Sequence, residues 1–347
     1  MSGLANMAIR AKRVPGAALL FVLLPLLAAF LSLLIGRYPL APGAVAEVLA
    51  RHLLALPVNP ADPADIVVIA IRLPRIVAGL LVGAALSMAG AAFQGIFRNP
   101  LVSPDILGVA AGAGFGAALA ILLGAGPGGI QLSAFLAGLA AVAMTWLITR
   151  WCAGNGDDVL VLILAGVIVG TVFAALVALV KFAADPTNTL PAITFWLMGS
   201  LATVGWPDLA AAGPPIGAGL VVLGLLRWRL NLLAFGDEEA RALGVDVGRL
   251  RLAVVLAATL MTAAAVAISG VIGLVGLVVP HMTRLLVGPD HRVLLPAAAL
   301  IGGTFLLVVD DAARILAGAE VPLGILTSLI GAPFFLSVLG RARGGGA

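Results

Sequence analysis

Long uncharged runs of apolar residues alternate along the chain with short segments that hold most of the charges. Because polar and apolar positions do not alternate within the runs, as they would in the strands of a membrane barrel, the pattern predicts α-helices. About 20 apolar residues are needed for a helix to cross the hydrocarbon core. The uncharged runs are 14–36, 76–97, 106–149, 159–180, 186–207, 209–226, 252–283, 293–309 and 321–340.

Two of these runs are long enough to cross twice. The first is broken by GAGPGG at 124–129 and the second near SGVIG at 269–273. Counting run 186–207 as a further span would put the arginine-rich stretch 227–251 outside the cell, against the cytoplasmic bias of Lys and Arg. We therefore predict an all-α polytopic membrane protein with ten transmembrane helices and a short re-entrant helix after the fifth span.

This topology places both termini in the cytoplasm, together with 14 of the 20 lysines and arginines. The composition, 62% hydrophobic and 10% charged, is that of an integral membrane protein. The net charge of +4 follows from the excess of cations on the inner side, so it indicates no nucleic-acid partner. We treat the first run as a retained span and residues 1–347 as one transmembrane domain.

Few side chains offer chemistry. The three histidines fall in separate predicted loops and span ends, so no shared metal site is expected, and neither lysine belongs to a phosphate-binding loop. Asp310 and Asp311 are the only acids that we expect near membrane depth. They are the ion site in our alternative hypothesis, an ion-coupled secondary transporter, although a local pair of Asp311 with Arg314 is the simpler interpretation.

The most highly charged stretch is the predicted cytoplasmic loop 231–251 between spans six and seven. It begins as a short amphipathic helix, with Asp237 suited to the helix N-terminus, Ala240 and Leu243 on an apolar stripe, and Gly244 suited to the end. Such a helix fits the groove of a cytoplasmic partner, while a solvated surface loop is the alternative.

Five motifs occur in an order that resembles the FecCD-type permeases of ABC importers for ferric siderophores, haem and cobalamin. They read RLPR with LVGAALSMAGAAFQGIFRNPLVSPDILGVAAGAG, then FWLMGSL, LNLLAFGDEEARALGV, GLVGLVVPHMTRLLVGPDHRVLLPAAALIGG and EVPLGILTSLIGAPFFLSVL.

The resemblance implies the permease subunit of a type II ATP-binding-cassette importer, not an enzyme. It implies a homodimer in the bacterial cytoplasmic (inner) membrane, with two cytoplasmic ATPase subunits and a periplasmic or extracellular substrate-binding protein. ATP and magnesium would be bound by the ATPase, so we expect no cofactor in this chain. The cargo would be a metal chelate. A ferric siderophore or haem is favoured because iron chelates are the family's commonest cargo, with cobalamin as the alternative.

The resemblance also implies roles for particular residues. Glutamates of the binding protein would pair with outer arginines at the positions of Arg72, Arg75 and Arg314. The alternative is that these arginines anchor their spans at the headgroups by snorkelling. The helix that contacts the ATPase would comprise Gly236, Asp237, Glu238, Glu239, Ala240, Arg241, Ala242, Leu243 and Gly244.

Residues of the translocation path are the third set. The resemblance places the inner gate near 157–160 and the re-entrant helix beside the path, while Gln94 either faces the path or bonds a neighbouring helix. The candidates are Ser87, Met88, Gln94, Val159, Leu160 and Met198.

Overall fold

The computed structural model describes residues 14–57, 62–152, 158–317 and 319–344. Regular structure in this part of the chain is helical, and it contains no strand. The helices are α1 (Val14–Leu34), α2 (Pro42–Leu53), α3 (Pro63–Ile96, π-helical over Ile66–Arg72), α4 (Val109–Leu122), α5 (Pro127–Cys152), α6 (Asp158–Ala183), α7 (Thr189–Leu197), α8 (Trp206–Leu233), α9 (Asp237–Ala242), α10 (Val247–Ser269), α11 (Val275–Val287), α12 (His291–Ile315) and α13 (Leu323–Gly344).

Six helices of the described chain are long and apolar enough to cross a membrane, namely α3, α5, α6, α8, α10 and α12. Shorter apolar helical stretches lie in α1, α4, α11 and α13. The prediction of an all-α, polytopic membrane protein is confirmed at this level. The number of crossings stays a prediction.

Both predicted breaks within the long apolar runs are present. α4 ends at Leu122 and α5 begins at Pro127, while α10 ends at Ser269 and α11 begins at Val275. Gly270 has a φ of +68°, a conformation that L-residues with a side chain rarely adopt. The breaker residues therefore act through backbone conformation, as expected.

α3 begins well before the predicted start of the second span at Ile76. The side chain of Asp62 accepts a hydrogen bond from the backbone of the first turn, and Pro63 occupies the first helical position. Arg72 and Arg75 consequently lie inside the helix, not in front of it. The hydropathy pattern misplaced this boundary because both arginines are buried with partners inside the bundle.

Glycines bring α3 into backbone contact with two other helices. A Cβ on Gly83 would lie 2.2 Å from the carbonyl oxygen of Gly302 in α12, and one on Gly90 would lie 1.7 Å from that of Gly276 in α11. Small residues permit such close approach within lipid, where packing drives helix association. α3 is thus fixed at the centre of the bundle.

The chain between α3 and α4 turns back into the bundle. This 97–108 segment contains a 3-10 turn, Pro104–Leu107, and ends at Gly108, whose φ is +85°. A Cβ on Gly166, well inside α6, would lie 2.1 Å from the carbonyl oxygen of Ile106. α4 is therefore shorter than the predicted third span, because the first residues of that apolar run belong to the turn.

Candidate functional site

One end of the bundle holds a group of ionisable side chains, most of them buried. This rim cluster consists of Arg72, Arg75, Asp310, Asp311, Arg314 and Glu320. Three guanidinium groups face three carboxylates, so the formal charges cancel. Buried charges are tolerated only when they are paired and hydrogen-bonded in this way.

Arg75 of α3 is the centre of the rim cluster. Its Nε and Nη2 each donate to the carboxylate of Asp310 over 2.9 Å, while Nη1 and Nη2 donate to Glu320 over 2.9 and 3.0 Å. The side chains of Arg75 and Asp310 are 7% and 0% exposed, whereas that of Glu320, in the loop before α13, is 25% exposed. Burial opposes ionisation of Glu320, but the hydrogen bonds and charge of Arg75 outweigh it and hold the pKa of that carboxyl below its usual value.

Arg314 closes the other side of the cluster. Its Nη2 lies 3.0 Å from Asp310 and also donates to Asp311, which confirms the predicted local ion pair. Ser32 of α1 donates to Asp311 over 2.7 Å and accepts from Arg314 over the same distance. The cluster therefore joins α1, α3, α12 and the loop before α13.

All three arginines predicted to dock the binding protein are used inside the subunit. The three arginine side chains are buried. Arg72 donates to the backbone carbonyls of Leu33 and Tyr38, while Arg75 and Arg314 are paired to acids. A docking partner would have to exchange with these contacts, so the docking role stays a prediction.

The alternative of an ion-coupled carrier loses its proposed site. Asp310 accepts from Arg75 and Arg314, and Asp311 accepts from Arg314 and Ser32. Carboxylates that are already neutralised by guanidinium groups offer no free ligand for a transported ion.

The opposite end of the bundle carries α9, the short helix predicted from the charged loop. Asp237, its first residue, bonds Arg251 of α10 over 2.9 and 3.0 Å and lies 3.4 Å from Arg98. Arg98 lies two residues past the end of α3 and has a φ of +49°, which is uncommon for a residue other than glycine. This α9 network therefore ties α9 both to α10 and to the start of the 97–108 segment.

α9 presents most of its surface to solvent. Ala240 is buried as predicted, and Gly244 ends the turn with a φ of +82°. Leu243 of the predicted apolar stripe is exposed in the isolated subunit, as is Phe235 just before the helix. These two apolar side chains flank the exposed acids Glu238 and Glu239, so the subunit leaves apolar surface uncovered on both sides of α9.

The predicted path residues fall in two environments. Ser87, Met88 and Gln94 are buried within the subunit, and Gln94 donates to the carbonyl of Leu277 in α11 over 3.2 Å. The hydrogen bond to a neighbouring helix, one of the two alternatives predicted for Gln94, is thus present. Leu160 is exposed at the start of α6.

Val159 and Met198 are partly buried. Of the predicted gate, 157 lies outside the described residues. A path role for all six candidates stays a prediction.

α7 occupies the position predicted for the re-entrant helix. It spans only nine residues, too few to cross a bilayer. Leu197 at its end lies 3.0 Å from the position that a Cβ on Gly114 of α4 would take, and Ser200 after it donates to the carbonyl of Ser269 over 2.8 Å. The short helix is therefore anchored against α4 and the end of α10.

Residues 23–341 match the model of the FecCD transport family. The match covers nearly the whole chain and includes both the α9 network and the rim cluster. The chain belongs to the FecCD transport family. It is 43% identical over 324 residues to the molybdate import system permease protein MolB of Haemophilus influenzae, a match that spans 93% of this chain and 95% of the relative.

Two further relatives name other cargoes. Identity is 44% over 283 residues with the cobalamin import system permease protein BtuC of Halobacterium salinarum, spanning 80% of this chain and 74% of the relative. The identity is 42% over 284 residues with the hemin transport system permease protein HmuU of Yersinia pestis, a match that spans 79% of this chain and 83% of the relative.

A solved structure of a metal-chelate type ABC transporter in an inward-facing conformation superposes with a TM-score of 0.84. The two chains are 42% identical, and the match covers 94% of this chain and 99% of the other. The FecCD protein described here is therefore a multi-pass permease of an ABC importer and not an enzyme, and an ATPase and a substrate-binding protein are its expected partners.

Sequence reasoning missed several residues of both sites. Glu320 and Ser32 complete the rim cluster, and Arg98 and Arg251 complete the α9 network, but no role was predicted for any of these four residues. Asp105 was likewise not among the acids expected near membrane depth. The two prolines before it, Pro100 and Pro104, and Gly108 after the turn were the available signal for a compact turn at this point.

Proposed function

We propose that the protein is the permease subunit of a type II ABC importer that carries a metal chelate across the bacterial cytoplasmic membrane. It acts as a homodimer of single-domain subunits, residues 1–347, each crossing ten times with both termini in the cytoplasm. Two ATPase subunits, which bind ATP and magnesium, dock on the face that carries α9. The binding protein docks at the rim cluster.

The observation that carries this proposal is α9 itself. This short charged helix is exposed on most of its surface and is flanked by Phe235 and Leu243, two apolar side chains that the subunit leaves uncovered. Its N-terminal Asp237 is nevertheless tied to the ends of two long helices. A helix that is free on its outer side and fixed on its inner side can pass a partner's movement to the bundle.

The rim cluster suggests how an acidic partner could dock. Glu320 is the most exposed carboxylate of the cluster and binds Arg75, whose other contact is fully buried Asp310. A carboxylate of the binding protein could replace Glu320 while Arg75 keeps Asp310. Charge pairing of this kind steers and orients an incoming partner more than it adds affinity.

The cargo is a chelate of iron, either a ferric siderophore or haem, with cobalamin as the alternative. Relatives of nearly equal identity are named for molybdate, cobalamin and hemin. The iron assignment therefore depends on the family's commonest use and needs a direct test.

The test is uptake into proteoliposomes that contain the permease, its ATPase and its binding protein. Ferric siderophore, hemin, cobalamin and molybdate are supplied in parallel, and we expect ATP-dependent accumulation of an iron chelate. Arg241→Glu on α9 should lower uptake and release the ATPase, whereas Asp185→Lys in the loop after α6 should change neither. Accumulation without ATP hydrolysis would refute the importer, and accumulation of molybdate alone would refute the cargo.

A further inference from the structure

Asp105 lies in the 97–108 segment and directly precedes the uncharged run that begins at residue 106. Thr145 of α5 donates to the carbonyl of Leu107 in the same turn over 3.0 Å. Thr145 is seven residues from the end of α5 at Cys152. At 1.5 Å per residue, this contact lies about 10 Å inside the end of the bundle that carries α9.

Two more helices give a similar depth. Gly166, whose Cβ would meet the carbonyl of Ile106, is eight residues into α6, or about 12 Å. Pro104 lies 3.4 Å from the Cβ position of Gly276, which is eleven residues from the end of α11, or about 16 Å. The turn that carries Asp105 is therefore about 10–16 Å inside the ends of the three helices that surround it.

Asp105 is exposed in the isolated subunit despite this depth. Leu101 in the same segment is 57% exposed, while Pro104 and Leu107 are buried against the bundle. Within the described residues, the carboxylate of Asp105 has no hydrogen bond or ion pair. Arg98, the cation of this segment, is already paired through the α9 network.

Three surroundings are possible for a carboxylate at such a position. Contact with lipid tails is strongly unfavourable for an acid, so acids at this depth almost always face the bundle interior or a water-filled cavity. Burial against another protein surface would also need a cation or donors to satisfy the carboxylate. A water-filled path satisfies it with solvent alone.

We propose that Asp105 lines the half of the translocation path nearest α9 and makes this part of the path favour neutral or cationic cargo over oxyanions. The inference rests on the proposed function, since the path is formed between the two subunits of the importer. Each subunit contributes one carboxylate to it. The site thereby selects against a small oxyanion such as molybdate, which carries its whole charge on a surface that the two carboxylates would face.

The charge can be measured without knowing the cargo. Leu101→Cys is introduced with Cys152→Ser into the full permease–ATPase complex in inside-out vesicles. The rates of thiol modification by a cationic and an anionic methanethiosulfonate are then compared, with and without ATP. One carboxylate in a water-filled crevice raises the modification rate of a univalent cationic reagent about threefold and lowers that of an anionic reagent about threefold. The ratio of the two rates therefore reports the charge of Asp105.

We expect the cation-to-anion ratio to fall about tenfold in Asp105→Asn, and likewise in Asp105→Ser should the first variant fail to assemble. Asp105→Glu should keep the ratio, and Asp185→Asn, at the far end of α6, should leave it unchanged. An unreactive Leu101→Cys thiol in both nucleotide states would overturn the path assignment, and a reactive thiol with an unchanged ratio would overturn the role of the charge. ATP-dependent uptake is measured separately, so failure of the importer itself shows there and not in the ratio.

Discussion

Replacing Asp310 with asparagine removes the fully buried carboxylate of the rim cluster while it keeps the shape of the side chain. The cluster then carries three guanidinium groups against two carboxylates, a net charge of +1 among buried side chains. Breaking a buried ion pair by removing one partner costs about 3–5 kcal/mol, because the remaining charge stays desolvated. Glu320→Gln should cost on the order of 1 kcal/mol, since solvent screens a carboxylate that is 25% exposed.

The assay is thermal unfolding of the detergent-purified permease, followed by the fraction that still elutes as a monodisperse species after heating. For a chain of this size, roughly 2 °C of midpoint corresponds to each kcal/mol, so Asp310→Asn should lower the midpoint by about 6–10 °C and Glu320→Gln by about 2 °C. Asp185→Asn, which neutralises an exposed carboxylate outside the cluster, serves as the matched control.

A double substitution separates lost pairing from other damage. Arg75→Gln with Asp310→Asn restores charge balance, so its loss of stability should be smaller than the sum of the two single losses by about 1–3 kcal/mol. Strict additivity, or an Asp310→Asn midpoint no lower than that of the control, would show that the cluster does not hold its charges by mutual pairing.

Two further variants test the helix contacts and the α9 network. Gly90→Ala would force a Cβ against the backbone of Gly276 and should destabilise the fold by about 1–3 kcal/mol in the same assay, whereas Gly213→Ala in α8, where a Cβ meets nothing within 4 Å, should not. Asp237→Asn should reduce the cargo moved per ATP about two- to fivefold by weakening both arginine contacts, as a loss of up to about 1 kcal/mol allows. Arg249→Gln, an exposed change on α10, should keep that ratio, and an unaltered ratio in Asp237→Asn would remove the coupling role of the network.

The helices were largely predictable because their signals are local. Apolar runs of membrane length, interrupted by Gly-Pro clusters, require no knowledge of tertiary structure, and the breaks at 124–129 and 269–273 were located by them. The same holds for α9, whose acidic start and terminal Gly244 form within one short stretch of chain. The FecCD motifs supplied the family because five of them occur in order.

The partners of the charged residues were not predictable, since they are separated far along the chain. Arg75 and Asp310 are 235 positions apart, and no periodicity marks one as the acceptor of the other. Hydropathy treats an arginine as a charge that belongs at the surface, so it started the second span too late. Asp105 was missed for the complementary reason, because a turn packed inside the bundle looks like a surface loop when only sequence length and charge are counted.

α3 connects the two ends of the molecule, and its packing determines what kind of movement it can transmit. Arg75 joins its first half to the rim cluster, Arg98 lies two residues past its other end in the α9 network, and backbone contacts at Gly83 and Gly90 hold the part between them. Close-packed backbones resist bending, because any bend would open voids or overlap atoms along the contact. A displacement of α9 should therefore move α3 together with α11 and α12 as a rigid unit. The 97–108 segment is joined to that unit through Arg98 and packed on α6 at its other end, so it is the part of the chain that must change shape.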